Sequence, residues 1–575
     1  MIVLGITNAF DSGASLTIDG KTVAAANEER FSRRKQDDSF PWKSIEYVLS
    51  AGGVRASEVD AVTYGWSRDF DEHKILPALS ERVIRAVRQE PDSADVVVTR
   101  IRVELERDQV RRDEMAGIAR ENGWADRLHV YDHHHAHAGS AYFGSPFDRA
   151  LVFTGDARGD FRSATVHLGE GDRLVELDWR SSFDSMGFYY SIITFLLGMR
   201  PVRHEGKVTG LAAYGDPEKC IHIMRQMIGF TENTIYANVG RMFKPFFTDP
   251  PPALREALSH FSKEDVAAAC QQHLEDVILA YIRRFLEEQK AAGTPVDNIC
   301  LAGGLYGNVK LNQRILALPG VRNVFVYPNM GDGGLCVGST YNWLAENGHK
   351  IQRPIDTMYL GPSFTDEEIR KALEAHKVPH RRLKDKVAET VDLLARGKIV
   401  GWFQGRMEFG PRALGARSIL VHPTDPTVND WLNKRLHRTE FMPFAPATTS
   451  ALAPRCYVGW REDHLASRYM TVCYDCTPEF KKDSPATVHV DGTARPQVVF
   501  REDNPDYHDV IEGFHRKTGN LSVINTSFNE HEEPIVCFPD DAVRSYLNNN
   551  VDCLVIGNWY VGPPEVSREA GAEKV

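Results

Sequence analysis

At 575 residues the chain exceeds what one hydrophobic core holds, and about two to four domains are expected. A hydrophobic content of 42%, with 10% aromatic and 26% charged residues, is that of a soluble globular protein. No apolar run approaches the roughly 20 residues of a membrane span, and a net charge of −11 argues against broad binding to nucleic acid, so neither kind of partner is expected.

Met1–Ile6 reads as a short buried strand without the basic n-region of a signal peptide, and a cytoplasmic protein is expected. The nine cysteines, mostly in apolar settings such as Cys300, Cys336, Cys537 and Cys553, read as reduced core thiols. Cys473 and Cys476 have C-x-x-C spacing. With no second pair at zinc-ribbon distance, they read as two cysteines of an alternating strand.

Taken in order, residues 2–6, 14–18 and 22–26 are strands, the last two joined by Asp19-Gly20, a strong hairpin signal. A strand, a tight turn holding Asp or Gly, and a second strand is how the actin and sugar-kinase ATPase folds begin. There the turn lies against nucleotide phosphates. Residues 28–35 form a dense charged run whose ordinary reading is a solvated face. Residues 43–51 and 79–125 carry helical periodicity. The second block shows no evident chemistry and reads as an insertion, or as a surface for an acceptor or partner.

Four of the 21 histidines fall within five positions, at 133, 134, 135 and 137. On a helix His133 and His137 sit at i and i+4 on one face, where two imidazoles share a metal ion or form a plain surface cluster. His134 and His135 point elsewhere. Ala150–Thr154 is a buried strand ending in Gly155-Asp156-Ala157-Arg158-Gly159-Asp160, which suits a phosphate, a metal or an ordinary connecting turn. A strand over 164–168 follows. The small residues of Glu205–Gly215 suggest backbone close to a ligand or a tight packing seam. A long amphipathic helix over 263–291 precedes a strand from Asn298 and the turn Gly303-Gly304, of the kind that cradles nucleotide ahead of a helix. Strand 324–327 leads to Asp332 in Gly-rich backbone.

Residues 345–357 read as a linker, followed by helix 387–396 and strand 398–403. Gln404–Leu420 then packs glycines, Arg406, Arg412, Arg417 and a serine between two strands. Arginine binds phosphate bidentately and glycine admits close backbone approach. Arg438–Pro446, Asp491–Gln497 (with Arg495) and Ile524–Asn529 (with Asn525 and Ser527) each place polar side chains at a strand end or loop.

Six stretches stand in one order: Glu28–Lys35, His133–Tyr142, Glu205–Gly215, Phe409–Leu420, Thr439–Pro446 and Asn525–Val536. On these the chain resembles, over roughly residues 1–560, the carbamoyltransferases of natural-product tailoring, the NodU/CmcH family. The resemblance implies an α/β fold of mixed α+β character. Residues 1–352 would form an actin-like carbamoyl-transfer domain similar to the universal threonylcarbamoyl-adenosine transferase, and residues 353–575 a YrdC-like α/β domain. It implies ATP with Mg²⁺, carbamoyl phosphate as co-substrate, and a divalent metal, iron(II) ahead of zinc or manganese. Carbamoyl-adenylate would form in the second domain. The first would pass the carbamoyl group to a hydroxyl or amine of a small molecule.

By the same resemblance His133, His137, Asp156 and Asp332 hold the metal. Lys35 stands near the adenylate, and its basic neighbours line the route between sites. Gly303 and Gly304 meet the nucleotide. Arg412, Arg417, Arg495, Asn525 and Ser527 surround phosphate and carbamoyl oxygens, and a homodimer is carried over as an expectation. One position departs from the pattern: where many members carry His as a candidate acceptor base, this chain has Phe10, followed by Asp11. Asp11, Asp156, Asp160 and a metal-bound or acceptor-derived base all stay open for that role. Leu436–Glu440 also lacks the Val-Lys-x-Arg-Glu pattern of some members. Two other readings compete. A tRNA threonylcarbamoyl-type transferase would need a basic face, and a non-catalytic actin-like nucleotide-binding module leaves residues 406–417 and Asn525–Ser527 unexplained.

Overall fold

A computed structural model describes residues 1–66, 72–89, 91–246, 249–438 and 441–563. Thr439 and Glu440 of the Thr439–Pro446 stretch, and residues 564–575 of the expected second domain, lie outside it. Alternating or continuous apolar runs form β1 (Ile2–Thr7), β2 (Gly13–Ile18), β3 (Lys21–Asn27), β4 (Ala61–Tyr64) and β5 (Leu128–Val130), in the order β3-β2-β1-β4-β5. Asp19 and Gly20 both have positive φ, 49° and 80°, the type I′ turn that the sequence signalled.

A second sheet repeats the plan. It holds β6 (Arg149–Gly159), β7 (Arg162–Glu170) and β8 (Arg173–Ser181). After a ribbon of β9 (Ile228–Thr231) and β10 (Thr234–Ala237) come β11 (Asn298–Ala302) and β12 (Asn323–Val326). Its order is β8-β7-β6-β11-β12. In each sheet the first strand is antiparallel to the second and parallel to the fourth. The fold is thus a duplicated actin-like α/β unit.

Each repeat sends a helix out of its fifth strand onto the other repeat's sheet. His133–Gly144, after β5, packs on β6, β7 and β11, and Leu335–Glu346, after β12, packs on β1, β2 and β4. The two helices cross closely. A Cβ added to Gly338 would lie 1.8 Å from the Ala136 carbonyl oxygen, so only glycine fits there. Strand residues such as Val3, Ile6, Leu151, Phe153, Leu301 and Val326 are buried, each worth about 1.5–3 kcal/mol of transfer free energy.

β6 is longer than its apolar run. It continues through Asp156 to Gly159, with a register irregularity against β7, and the turn comes only at Asp160-Phe161, both at positive φ. Asp156 therefore projects from irregular strand, not from a turn beyond the strand. The long helix forms as expected over Lys263–Ala291.

The C-terminal part is a mixed sheet. Its strands are β13 (His380–Arg382), β14 (Val400–Phe403), β15 (Arg417–Val421) and β16 (Ala445–Thr449). After the small pair β17 (Tyr474–Asp475) and β18 (Thr493–Ala494) come β19 (Gln497–Val499), β20 (Val523–Ser527), β21 (Cys553–Ile556) and β22 (Trp559–Val561). The order is β13-β22-β21-β14-β15-β20-β16-β19. Cys473 and Cys476 flank the short β17. Both are buried free thiols, pushed up to about 12 by burial, which suits core cysteines and not a reactive pair.

Two expectations for exposed segments are corrected. The stretch read as a linker is pinned: past Glu346, Arg353 donates from Nη1 to the Gly171 carbonyl at 3.0 Å and from Nη2 to the Tyr142 carbonyl at 3.1 Å. The run 28–35 is no solvated face, because Glu28, Glu29 and Arg30 are buried. Arg30 donates to the Gly410 carbonyl at 2.8 Å, and Arg33 to the Pro534 and Ile535 carbonyls at 2.8 Å. These basic residues clasp the N-terminal part to the C-terminal part, and of the expected route only Lys35 lines the cavity described below. Among the described residues no helix is long and apolar enough to cross a membrane.

Candidate active site

The histidine helix starts at Asp132, whose carboxylate accepts the His135 amide at 2.9 Å. The His133 amide is taken by Asp160 at 2.8 Å. His133 and His137 are fully buried, and their side chains stand with Asp156 and Asp332 so that one donor atom from each lies within 4.8 Å of the others. His137 Nε2 is 3.4 Å from Asp156 Oδ2 and 3.7 Å from Asp332 Oδ1, and His133 Nε2 is 3.9 Å from Asp332 Oδ1. Trp66 meets His133 edge-on at 4.2 Å. The other histidines stay apart, His134 with Nδ1 2.8 Å from Thr154 Oγ1 and His135 with Nε2 3.6 Å from Glu346.

Burial and the His137 charge hold His133 well below the ordinary imidazole range. Burial also opposes charge on His137, but Asp156 and Asp332 outweigh it and push that group up to about 9. Burial raises Asp332, and neighbouring Asp156 adds to the rise. None of the four imidazole nitrogens of His133 and His137 has a hydrogen-bond partner among the described residues. Buried Asp332 and half-buried Asp156 facing two unpartnered imidazoles are a donor set for a divalent cation, and two nitrogens with two oxygens suit iron(II), zinc or manganese.

A cavity of about 580 Å³ opens beside this cluster. Asp156, Asp332, Lys35 and Gly304 line it from the N-terminal part, and Arg412, Arg495, Asn525 and Ser527 from the C-terminal part. Burial lowers Lys35 although Glu29 opposes the shift. Gly304 donates its amide to Asp156 Oδ2 at 2.9 Å. Gly303 does not line the cavity. Its φ of 100° lets the backbone pass over Gly155, where an added Cβ would meet a carbonyl oxygen at 2.2 Å.

Arg417 departs from expectation. It is fully buried, does not line the cavity, and lies 3.6 Å above the Phe403 ring. Its Nη1 donates to the Gln404 carbonyl at 2.9 Å and its Nη2 to the Pro362 carbonyl at 3.0 Å. Buried Glu408 complements it, accepting the Leu414 amide at 2.7 Å and the Arg417 amide at 3.2 Å. Arg417 and Glu408 brace the loop that carries Arg412 from behind the cavity wall. Asp11 is likewise off the cavity wall, which Phe10 occupies.

Arg100, Arg107 and Arg111 also line the cavity, from a helix that carried no evident chemistry as sequence, while Arg438 and Lys207 line it from two stretches the sequence had singled out. Arg438 braces the β20 end, donating to Thr526 Oγ1 at 2.8 Å and the Asn529 carbonyl at 2.7 Å. Glu205–Gly215 runs from the cavity wall into a tight packing seam. Glu205, Gly206, Lys207 and Thr209 line the cavity, while a Cβ on Gly215 would meet the Glu264 carbonyl oxygen at 2.0 Å.

The family model for the carbamoyltransferase N-terminus matches residues 2–341, and that for the carbamoyltransferase C-terminus matches residues 391–562. The chain belongs to the carbamoyltransferase family. Similar family proteins include sll1178 of Synechocystis sp., 33% identical over 97% of this chain and 96% of that one. Nodulation protein NolNO of Sinorhizobium fredii is 30% identical over 98% of this chain and 81% of that one, and nodulation protein U of Rhizobium tropici 25% over 94% and 93%. Among solved structures, full-length HypF in the phosphate- and nucleotide-bound form aligns at 13% identity and TM-score 0.34, over 60% of this carbamoyltransferase-family chain and 56% of that one.

Proposed function

We propose that the protein makes carbamoyl-adenylate from carbamoyl phosphate and ATP and transfers the carbamoyl group to a hydroxyl or amine of a small molecule. The division of labour would follow residues 1–352 and 353–575. The observation that supports this reading most is that one cavity joins the histidine–aspartate cluster to the Arg412, Arg495, Asn525 and Ser527 wall. An activated, water-labile intermediate made at one end can reach the other without leaving the protein.

Carbamate is a poor electrophile because its anionic oxygen leaves badly. Water cleaves carbamoyl phosphate to carbamate and phosphate. A carbamate oxygen then attacks the α-phosphorus of ATP·Mg²⁺ and expels pyrophosphate. The acceptor oxygen or nitrogen attacks the carbamoyl carbon of the mixed anhydride, its proton passes to a base, and AMP leaves. Arg412, Arg495 and Lys35 supply positive charge to the phosphate oxygens. Asn525 spends Nδ2 on the Ala413 carbonyl at 3.2 Å and Gln497 Oε1 at 2.7 Å. Its buried Oδ1 has no partner among the described residues and suits a carbamoyl N–H.

A divalent cation held by His133, His137, Asp156 and Asp332 would supply Lewis-acid stabilisation of charge on the carbamoyl and phosphate oxygens. Of the open candidates for the acceptor base, Asp160 is occupied by the His133 amide and Asp156 by the Gly304 and Ala157 amides. Asp11 is held up to about 7, first by burial and then by Glu29 and Asp332, a range that suits a base. It stands off the cavity wall that Phe10 lines, however, which favours a metal-bound or acceptor-derived base.

Pyrophosphate exchange into ATP tests the reading. Exchange that requires carbamoyl phosphate is expected. Exchange that requires threonine and bicarbonate would replace it with the tRNA-modifying reading, and no exchange under either condition would overturn the adenylating step.

A further inference from the structure

The inserted helix Pro91–Glu121, which showed no chemistry as sequence, brings Arg100, Arg107 and Arg111 to the cavity wall beside Arg158 and Trp66. Its acidic residues facing the same way are already engaged. Glu104 is 3.0 Å from Arg100 Nε and 3.4 Å from Arg158 Nη1, and Asp108 is 3.2 Å from Arg158 Nη2. With Asp160 also acting on Arg158, four guanidiniums face three carboxylates. Arg107 makes no ion pair among the described residues, and the buried Nη1 of Arg111 has no hydrogen-bond partner there. Arg111 lies 4.6 Å over the Trp66 ring, and Trp66 is the ring that touches His133. Surplus positive charge is thus held one indole away from the histidine–aspartate cluster.

We propose that this patch is the acceptor's binding site and that the acceptor is an anion, a hydroxylated molecule carrying a phosphate or carboxylate. The proposal rests on the transfer reading above. Guanidiniums grip such groups bidentately, and a buried N–H that lacks a protein partner is completed by a ligand oxygen. An acceptor anchored at Arg107 and Arg111 would present its hydroxyl past Trp66 toward Asp156 and Asp332. The second source of an anion is the donor's own phosphate, which the test separates.

Isothermal titration of the full-length protein, with Mg²⁺ and a non-hydrolysable ATP analogue filling the nucleotide site, compares glucose 6-phosphate with glucose. Glucose 6-phosphate is expected to bind at least tenfold more tightly. The preference should vanish in R107A/R111A, fall partway in R107A alone, and survive in part in R107K/R111K, with thermal midpoints checking the fold. Equal affinity for the two sugars, or a preference that persists in R107A/R111A, would overturn the proposal. So would a tenfold rise in the KM for carbamoyl phosphate in the exchange assay of R107A/R111A with the sugar preference intact, since that assigns the patch to the donor. Wild-type exchange that ignores carbamoyl phosphate would defeat the transfer reading and leave the anion test standing.

Discussion

His137 Nε2 stands 3.4 Å from Asp156 Oδ2, yet the two residues belong to different repeats of the fold. His137 comes from the helix after β5 of the first sheet, and Asp156 from the first strand of the second. The pair exists because each repeat's last helix lies on the other repeat's sheet. Asp332, at the start of the second of those helices, completes the cluster by the same exchange.

Removing the cluster should separate the two half-reactions. His133→Ala and His137→Ala are expected to keep carbamoyl-phosphate-dependent ATP–pyrophosphate exchange within about threefold and to lower carbamoyl transfer by about 100-fold or more. Loss of exchange in either variant would show that the two ends of the cavity are coupled.

Gly159 guards the position of His133. A Cβ there would lie 2.1 Å from His133 Cγ, so Gly159→Ala must push the imidazole aside. Metal content after dialysis against limiting Fe²⁺ or Zn²⁺, read by atomic emission, is expected to fall by about tenfold or more, in the range seen when a ligand's support is lost. Full occupancy in this variant would count against His133 as a ligand.

Arg412 and Arg417 should fail differently, although the sequence presents them alike. Arg412→Ala is expected to raise the KM for carbamoyl phosphate or ATP by about tenfold, with little change in thermal midpoint. Arg417→Ala strands buried carbonyls and is expected to destabilise the C-terminal part by about 1–3 kcal/mol, read by urea unfolding. A normal midpoint with lost exchange in Arg417→Ala would restore the direct ligand role that the geometry denies it.

His464 makes stability sensitive to acid. Burial, with Arg461 nearby, pushes it down to about 4, below the ordinary imidazole value. The neutral form is therefore the one the fold favours. Its contribution is present above about pH 6.5, the unfolded value, and is lost as pH falls from there toward about 4. Between pH 7 and pH 5 the wild type should lose more thermal midpoint than His464→Gln, by about 2–4 °C. An equal loss in both proteins would remove His464 from the acid response.

The sequence by itself determined whatever depends on near neighbours. The i, i+4 spacing of His133 and His137 puts them on one face of a helix whatever lies opposite. Asp19-Gly20 dictates its own turn, and the apolar period over Lys263–Ala291 dictates its own helix. Family motifs carried the aspartates, Arg412 and Arg495 as well. Tertiary structure alone decided which cations face the cavity. Arg412 and Arg417 sit in one Gly-rich stretch, but Arg417 opens β15 and lies on the Phe403 ring with its Nη1 and Nη2 donating to carbonyls, while Arg412 reaches the cavity. Arg30 and Arg33 became clasps between the two parts, and Arg107 and Arg111 became cavity wall. The physical reason is the same each time. Periodicity fixes the face on which a long charged side chain leaves its element, but the partner it finds depends on packing between elements far apart in the chain.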